Sequence, residues 1–417
     1  MFDVGYVTQR SDYPMYWSNF LSLLLMFPSE SPYRIDQVMS SPWLMTLLFF
    51  SQVFFATCIS WMAARQKISW WLLAAGLFCL TTSVFFTLSS WGTSDVTKLN
   101  HYIDQLAERL PAEPFWWIAA PFIKALPYRM AAIHGLVATF FAALAIFLSR
   151  CWRVPGWGGW WALLLLTSPF LRGFLQNAHT RQAWAALLVV PLFLRASGFL
   201  QIRMLSVVSS AALALFSHLT AFPMLVLASI PASWQGIGSL ARSPRLVKIG
   251  VFGLPVVALV VFAQPIWLKL LGYISQMNFF SSYSIQRPVF VSEVLLLVAV
   301  VLACRRRQIL WSTLKHCAAS RAFFFFMLMF IIVQFGVKFE IYPQIVYRFA
   351  DPVGLFLLLS ALRWFQLYNS KQLLLPLIVF SLMIWCKQLV DPVGLNCGFD
   401  DDFLCIPDRW PWQIVYY

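Results

Sequence analysis

The sequence predicts an all-α, polytopic helical bundle embedded in a bilayer, with about twelve transmembrane helices, and three observations carry that prediction. Only 11% of the 417 residues are charged and 60% are hydrophobic, with a mean hydropathy of +0.74, whereas soluble domains carry about 25% charged residues. The apolar residues fall in windows approaching the roughly 17–25 residues a helix needs to cross hydrocarbon. The basic residues are segregated: sixteen of the thirty Lys and Arg lie in six turns (64–67, 150–153, 195–203, 237–248, 305–321 and 363–371) that hold no Asp or Glu. Short loops rich in Lys and Arg mark the cytoplasmic side, so these turns are expected on one face and everything acidic on the other.

The first 41 residues form an outer-face segment. Its apolar run from Tyr16 to Phe27 is short and contains Asn19, which suits an interfacial or re-entrant piece, with a true span as the alternative. Met1-Phe2-Asp3-Val4 lacks a basic n-region, so a cleaved signal peptide is not expected. Residues 42–387 form the bundle, with spans expected at 42–63, 68–90, 131–149, 156–171, 182–197, 203–217, 219–236, 247–265, 289–304, 322–337, 350–363 and 372–387. Between the second and third lies a periplasmic-type loop, 91–130. Leu99, Ile103, Leu106, Ala107 and Leu110 recur there at helical spacing opposite Asp104, Glu108 and Arg109, the pattern of an amphipathic helix on the outer leaflet. Trp116 and Trp117 follow at interface depth, where tryptophan is enriched.

Residues 388–417 form an outer tail. It holds Cys397 and Cys405, for which a disulfide is chemically allowed, and Asp400-Asp401-Asp402, read as solvated with calcium binding as the alternative. The other six cysteines lie in or beside spans and read as packing residues. No Cys/His spacing suggests a metal, and no phosphate loop or cofactor motif is present, so none of these is expected. The net charge of +14 sits on the face that meets anionic lipid, which excludes nucleic acid as the partner it implies. Asp-Pro-Val-Gly-Leu occurs at 351–355 and 391–395. Asp before Pro reads as a helix start, N-cap then N1, so the first copy is expected to open a span and the second a tail helix.

The candidate chemistry clusters at the outer end of the spans. Arg172, His179 and Arg181 share one short turn, with Gln182 next. A lone Arg181 would be a snorkelling anchor; guanidinium groups gathered at a helix start suit phosphate or carboxylate instead. His218, in Phe216-Ser217-His218, is expected at the same depth, as a catalyst or a satisfied core histidine. Tyr347-Arg348 precedes Asp351, so Arg348 either pairs with Asp351 or adds a donor toward the same anion. Asp95 and Glu113 are loop carboxylates or helix caps taken singly. Together they are the carboxylates placed to accept a proton from a hydroxyl or orient a sugar.

In order, Gly92-Thr93, Asp95, Tyr102, Glu113-Pro114, Arg181-Gln182-x-x-Ala185, Phe216-Ser217-His218 and Tyr347-Arg348 resemble the EpsG/Wzy-like family of bacterial polysaccharide repeat-unit polymerases. Two departures stand out: Ser89-Ser90-Trp91 replaces the arginine that usually precedes the Gly-Thr-Asp piece, and Ser94 interrupts that piece. The resemblance implies a GT-C-like membrane glycosyltransferase in the bacterial inner membrane, joining undecaprenyl-pyrophosphate-linked oligosaccharide repeats on the periplasmic face. Its donor and acceptor would both be undecaprenyl-pyrophosphate-linked glycans, and a chain-length regulator would be a candidate partner. Arg181, His218, Asp95 and Glu113 would then be catalytic, and Arg172, His179, Gln182, Tyr347 and Arg348 substrate-binding, with no metal. His218, Asp95 and Glu113 all stand as bases. A ligase or single-sugar transferase is the nearest alternative enzyme; a glycan or lipid transporter is the rival of another class, and a purely structural subunit leaves the basic cluster unexplained.

Overall fold

The computed structural model describes residues 42–90, 96, 99, 100, 103, 113–175, 179–233, 289–307, 317–338 and 343–390. Among these residues the chain is helical and contains no strand. The helices are α1 (Pro42–Ala64), α2 (Ile68–Ser90), α3 (Pro114–Ala125), α4 (Met130–Cys151), α5 (Gly158–Thr167), α6 (Arg172–Leu175), α7 (Thr180–Ala196), α8 (Met204–Ser217), α9 (Ala221–Ser233), α10 (Val289–Arg307), α11 (Ala318–Lys338), α12 (Pro343–Leu367) and α13 (Leu375–Val390). Among the described residues, three stretches are long and apolar enough to cross a membrane: Thr46–Ala64, Ile68–Ser90 and Met130–Cys151. Met204–Ser217, Ala221–Pro231, Ala318–Gln334 and Lys371–Ile384 are apolar but shorter. Large apolar side chains face outward on α1, α2, α10 and α13, among them Phe54, Leu80, Val301 and Met383, as a chain solvated by lipid allows.

The sharpest feature of the fold is how its basic turns close. Gln66, Arg153, Gly198 and Asn369 all adopt left-handed backbone. In each case the next amide reaches back five residues: Lys67 to the Met62 carbonyl, Val154 to Ser149, Phe199 to Leu194 and Ser370 to Phe365. This is the six-to-one closure that satisfies the orphan carbonyls at a helix C-terminus. These turns also touch one another. The Gln366 amide donates to the Trp152 carbonyl at 3.1 Å, Arg307 to the Asn369 carbonyl at 3.1 Å, and Ser60 to the Gly156 carbonyl at 2.5 Å. The Arg363 guanidinium lies over the Trp152 ring. The Trp152 indole also donates to the Phe199 carbonyl at 3.4 Å, so the described parts of five of the six acid-free turns gather at one end of the bundle, as the charge pattern predicts; 308–316 and 237–248 lie outside the described residues.

The core joins α2, α4, α5, α7, α11 and α12. Phe193 on α7 stacks on Phe356 of α12 at 4.7 Å, and Phe323 on α11 stacks on Trp364 at 5.3 Å. Close helix approach depends on glycine: a Cβ at Gly135 of α4 would strike Thr87 Oγ1 and the Ser83 carbonyl of α2.

Several expectations need correction. The span expected at 156–171 is a ten-residue α5 flanked by 3-10 turns at Pro155–Trp157 and Pro169–Leu171. Ser168 is extended because the residue before a proline is pushed out of helical backbone. Asp351-Pro352 does not start a helix. Pro343 takes the first-turn position and α12 runs on through Pro352 to Leu367, so 343–348, which falls between the spans expected at 322–337 and 350–363, is helix. Of the two tryptophans, Trp116 is fully buried within the protein and Trp117 is exposed. Val96, Leu99 and Ile103, from the stretch expected to lie on the leaflet, are buried. The 1–41 segment, the 247–265 span, the tail with Cys397 and Cys405, and the second Asp-Pro-Val-Gly-Leu lie outside the described residues.

Candidate functional site

Glu113 stands immediately before Pro114, the first residue of α3. The backbone before a proline avoids the helical region, and Glu113 is non-helical at φ −129°, ψ 64°, making no side-chain cap bond to its own helix. Its carboxylate is therefore spent elsewhere. Oε2 accepts from Arg181 Nη1 at 2.5 Å, and Oε1 meets His218 Nδ1 at 2.6 Å. Glu113 is 3% exposed, His218 5% and Arg181 17% by side chain, so the group is nearly dry yet approachable from the arginine.

Each partner is delivered by a helix end. Arg181 is the second residue of α7, where the first-turn amides and the macrodipole make the environment positive. His218 caps the C-terminus of α8 in extended backbone (φ −163°). Its carbonyl then accepts from Ala221 at the start of α9, so the residue is fixed on both sides. Trp116, one turn into α3, donates its indole N–H to the Ser217 carbonyl at 2.7 Å. That bond, buried and satisfied, ties the Glu113 helix to the His218 helix.

Further hydrogen bonds hold the backbone that leads into Arg181. The Gly173 amide donates to Asp351 Oδ1 at 3.2 Å, and the His179 amide donates to the Gly173 carbonyl at 3.0 Å. A Cβ at Gly173 would overlap the Asp351 carboxylate and approach His179 Nδ1 to 3.1 Å. His134 on α4, 0% exposed, meets the Leu175 carbonyl through Nε2 at 3.1 Å and Thr180 Oγ1 through Nδ1 at 3.2 Å.

The structure thus brings together Arg181, His218 and Glu113 and sets His179 nearby; Gln182, one residue past Arg181, is buried. Arg172, Tyr347 and Arg348 lie on α6 and α12, but their side chains are outside the described residues, as is Asp95 entirely. Asp351 Oδ1 accepts from the backbone of α6; whether Arg348 pairs with Asp351 or faces the anion lies outside the described residues. His134 and Trp116 are the site-supporting residues that sequence reasoning missed. His134 had one signal, an imidazole in the second turn of an otherwise apolar helix.

Chemically, the group pairs an orienting carboxylate with an imidazole and a guanidinium. A carboxylate at Nδ1 holds the imidazole proton on that nitrogen and leaves Nε2 with the lone pair. A guanidinium has five N–H donors, and Arg181 gives one from Nη1 to Glu113. Among the described residues no cluster of His, Cys, Asp and Glu could hold a metal ion. No family model, curated protein or solved structure matches this chain, so the functional reading stands on these residues.

Proposed function

We propose that the chain is a multi-pass membrane glycosyltransferase of about twelve spans and GT-C-like architecture that polymerises undecaprenyl-pyrophosphate-linked oligosaccharide repeats. One observation carries the reading: Glu113 bridges a guanidinium and an imidazole at one end of an apolar bundle, the end opposite the acid-free basic turns. By the positive-inside rule that end faces the periplasm of a bacterial inner membrane. Buried charge in such a bundle is a functional candidate by default, and the ordered motifs that resemble the EpsG/Wzy-like polymerases include all three residues.

In the mechanism, His218 Nε2 takes the proton of the acceptor sugar hydroxyl. The freed oxygen attacks the anomeric carbon of the donor. The bond from that carbon to the pyrophosphate oxygen breaks, and its electron pair leaves with undecaprenyl pyrophosphate. Arg181, with the N-terminal amides of α7, meets the growing negative charge, a form of stabilisation worth about 10²–10³ in rate per donor. Direct displacement inverts the anomeric centre. Glu113, with both oxygens engaged, orients His218 and Arg181 rather than abstracting a proton. Arg172, His179, Gln182, Tyr347 and Arg348 bind substrate, and Asp95 orients the sugar. A chain-length regulator is the candidate protein partner that the family resemblance implies.

Purified protein incubated with an undecaprenyl-pyrophosphate oligosaccharide is expected to give a ladder of products on a gel. Arg181→Ala, present at wild-type level in the membrane, is expected to lose at least about 100-fold in rate. Long polymer from that variant would overturn the assignment of Arg181. A single added band would identify a ligase or single-sugar transferase instead, and no product would favour transport.

A further inference from the structure

The connection that delivers Arg181 is short: four residues separate Leu175, the last residue of α6, from Thr180, the first of α7. Both ends of the turn are bound by one imidazole. A carbonyl oxygen can only accept, so the 3.1 Å contact between His134 Nε2 and Leu175 O places the ring proton on Nε2. Nδ1 then carries a lone pair and accepts from the Thr180 hydroxyl at 3.2 Å. The neutral ring satisfies both of its nitrogens, consistent with its complete burial. The edge of Phe86 from α2 lies against it at a centroid distance of 6.0 Å.

We propose that His134 is a positioning residue for Arg181, clamping the α6–α7 turn at Leu175 and Thr180 so that the guanidinium is presented to Glu113 and the departing anion in one geometry. Thr180 is the residue directly before Arg181, so a rotation at Thr180 is passed to the arginine's Cα with no intervening hinge. The inference rests on the proposed role of Arg181 in the transferase reaction. It adds a residue on α4, away from the reacting atoms, to the set that determines rate.

The test uses full-length protein in detergent or nanodiscs, and two readouts. Thr180→Val keeps the side-chain shape and removes the hydroxyl; Thr180→Ser keeps the hydroxyl; His134→Gln keeps one donor and one acceptor. Amide hydrogen exchange over 176–183 is expected to rise in Thr180→Val while exchange in α1 and α2 stays at the wild-type level. In the polymerisation assay Thr180→Val is expected to lose about 10- to 100-fold in kcat, the effect of displacing a catalytic group by about 1 Å, with KM within about twofold. Thr180→Ser and His134→Gln should restore most of both signals. Unchanged exchange and rate in Thr180→Val would overturn the clamp. Raised exchange with unchanged kcat would overturn its link to Arg181. A wild-type protein that adds only one band sinks the polymerase reading and one that makes no product sinks the transferase reading, while the exchange result still decides the clamp.

Discussion

Glu113 accepts from Arg181 and meets His218 across 68 and 105 residues of sequence respectively, and it does so almost out of reach of water. Burying such a group is unfavourable unless every charge in it is paired, and removing one partner typically destabilises by about 3–5 kcal/mol. Glu113→Gln conserves volume while discarding the charge and one acceptor. It is expected to lower kcat by roughly 10²–10⁴-fold, through loss of the oriented imidazole, and to lower stability by about 1–3 kcal/mol. Thermal unfolding and product ladders measure the two effects separately; wild-type kcat in a folded variant would remove Glu113 from the site. All three members of this group are visible in the sequence, because a guanidinium, an imidazole and a carboxylate each stand out against apolar surroundings. What the sequence withholds is which carboxylate meets which cation. Asp95 and Glu113 look equivalent there, and only the non-helical backbone before Pro114 shows why Glu113 is turned away from its own helix. His134 is harder still, since a single imidazole inside an apolar helix gives no hint of the carbonyl and hydroxyl that satisfy it.

At the scale of the helix, glycine separates two kinds of position with opposite expected signs. Gly135 lies where α4 meets α2, and any Cβ there would overlap Thr87 and the Ser83 carbonyl. Gly76, in the middle of α2, has no atom within 4 Å of an added Cβ. Gly135→Ala is therefore expected to destabilise by about 1–3 kcal/mol through overpacking. Gly76→Ala should be neutral or stabilise by up to about 1 kcal/mol, the difference in helix propensity. Thermal unfolding of the two variants side by side checks this, and equal shifts would contradict the close α2–α4 crossing. Helix positions were readable because uninterrupted apolar runs leave the backbone no partner but itself; α2 falls at 68–90 as expected. The reading failed where proline has two meanings. Pro169 forces the break at Ser168 by pushing that residue out of helical backbone, while Pro352 is carried inside α12, because Pro343 already provides the start and Asp351 uses its side chain to hold Gly173 rather than to cap.

At the scale of the molecule, charge segregation predicts two distinct ends, and the structure has them. Five basic turns meet at one; Glu113, Arg181, His218 and the Gly173–Asp351 contact lie away from it. In a cysteine-free background, single cysteines at Gln66 and Asn369 are expected to react with a membrane-impermeant maleimide only when the cytoplasmic side is opened. A cysteine at Lys124, exposed in the last turn of α3, should react from the opposite side in intact cells. Labelling of all three from one side would overturn the topology. The four left-handed closures at the basic end have one further consequence. Gln66, Arg153, Gly198 and Asn369 share no side-chain chemistry, only a backbone angle, and the bonds that close each corner run from main chain to main chain. Those corners can drift in sequence while keeping their shape. The opposite end is written in a carboxylate, a guanidinium, two imidazoles and a hydroxyl, none of which another residue reproduces in full. Descendants of this chain should diverge at one end and hold still at the other.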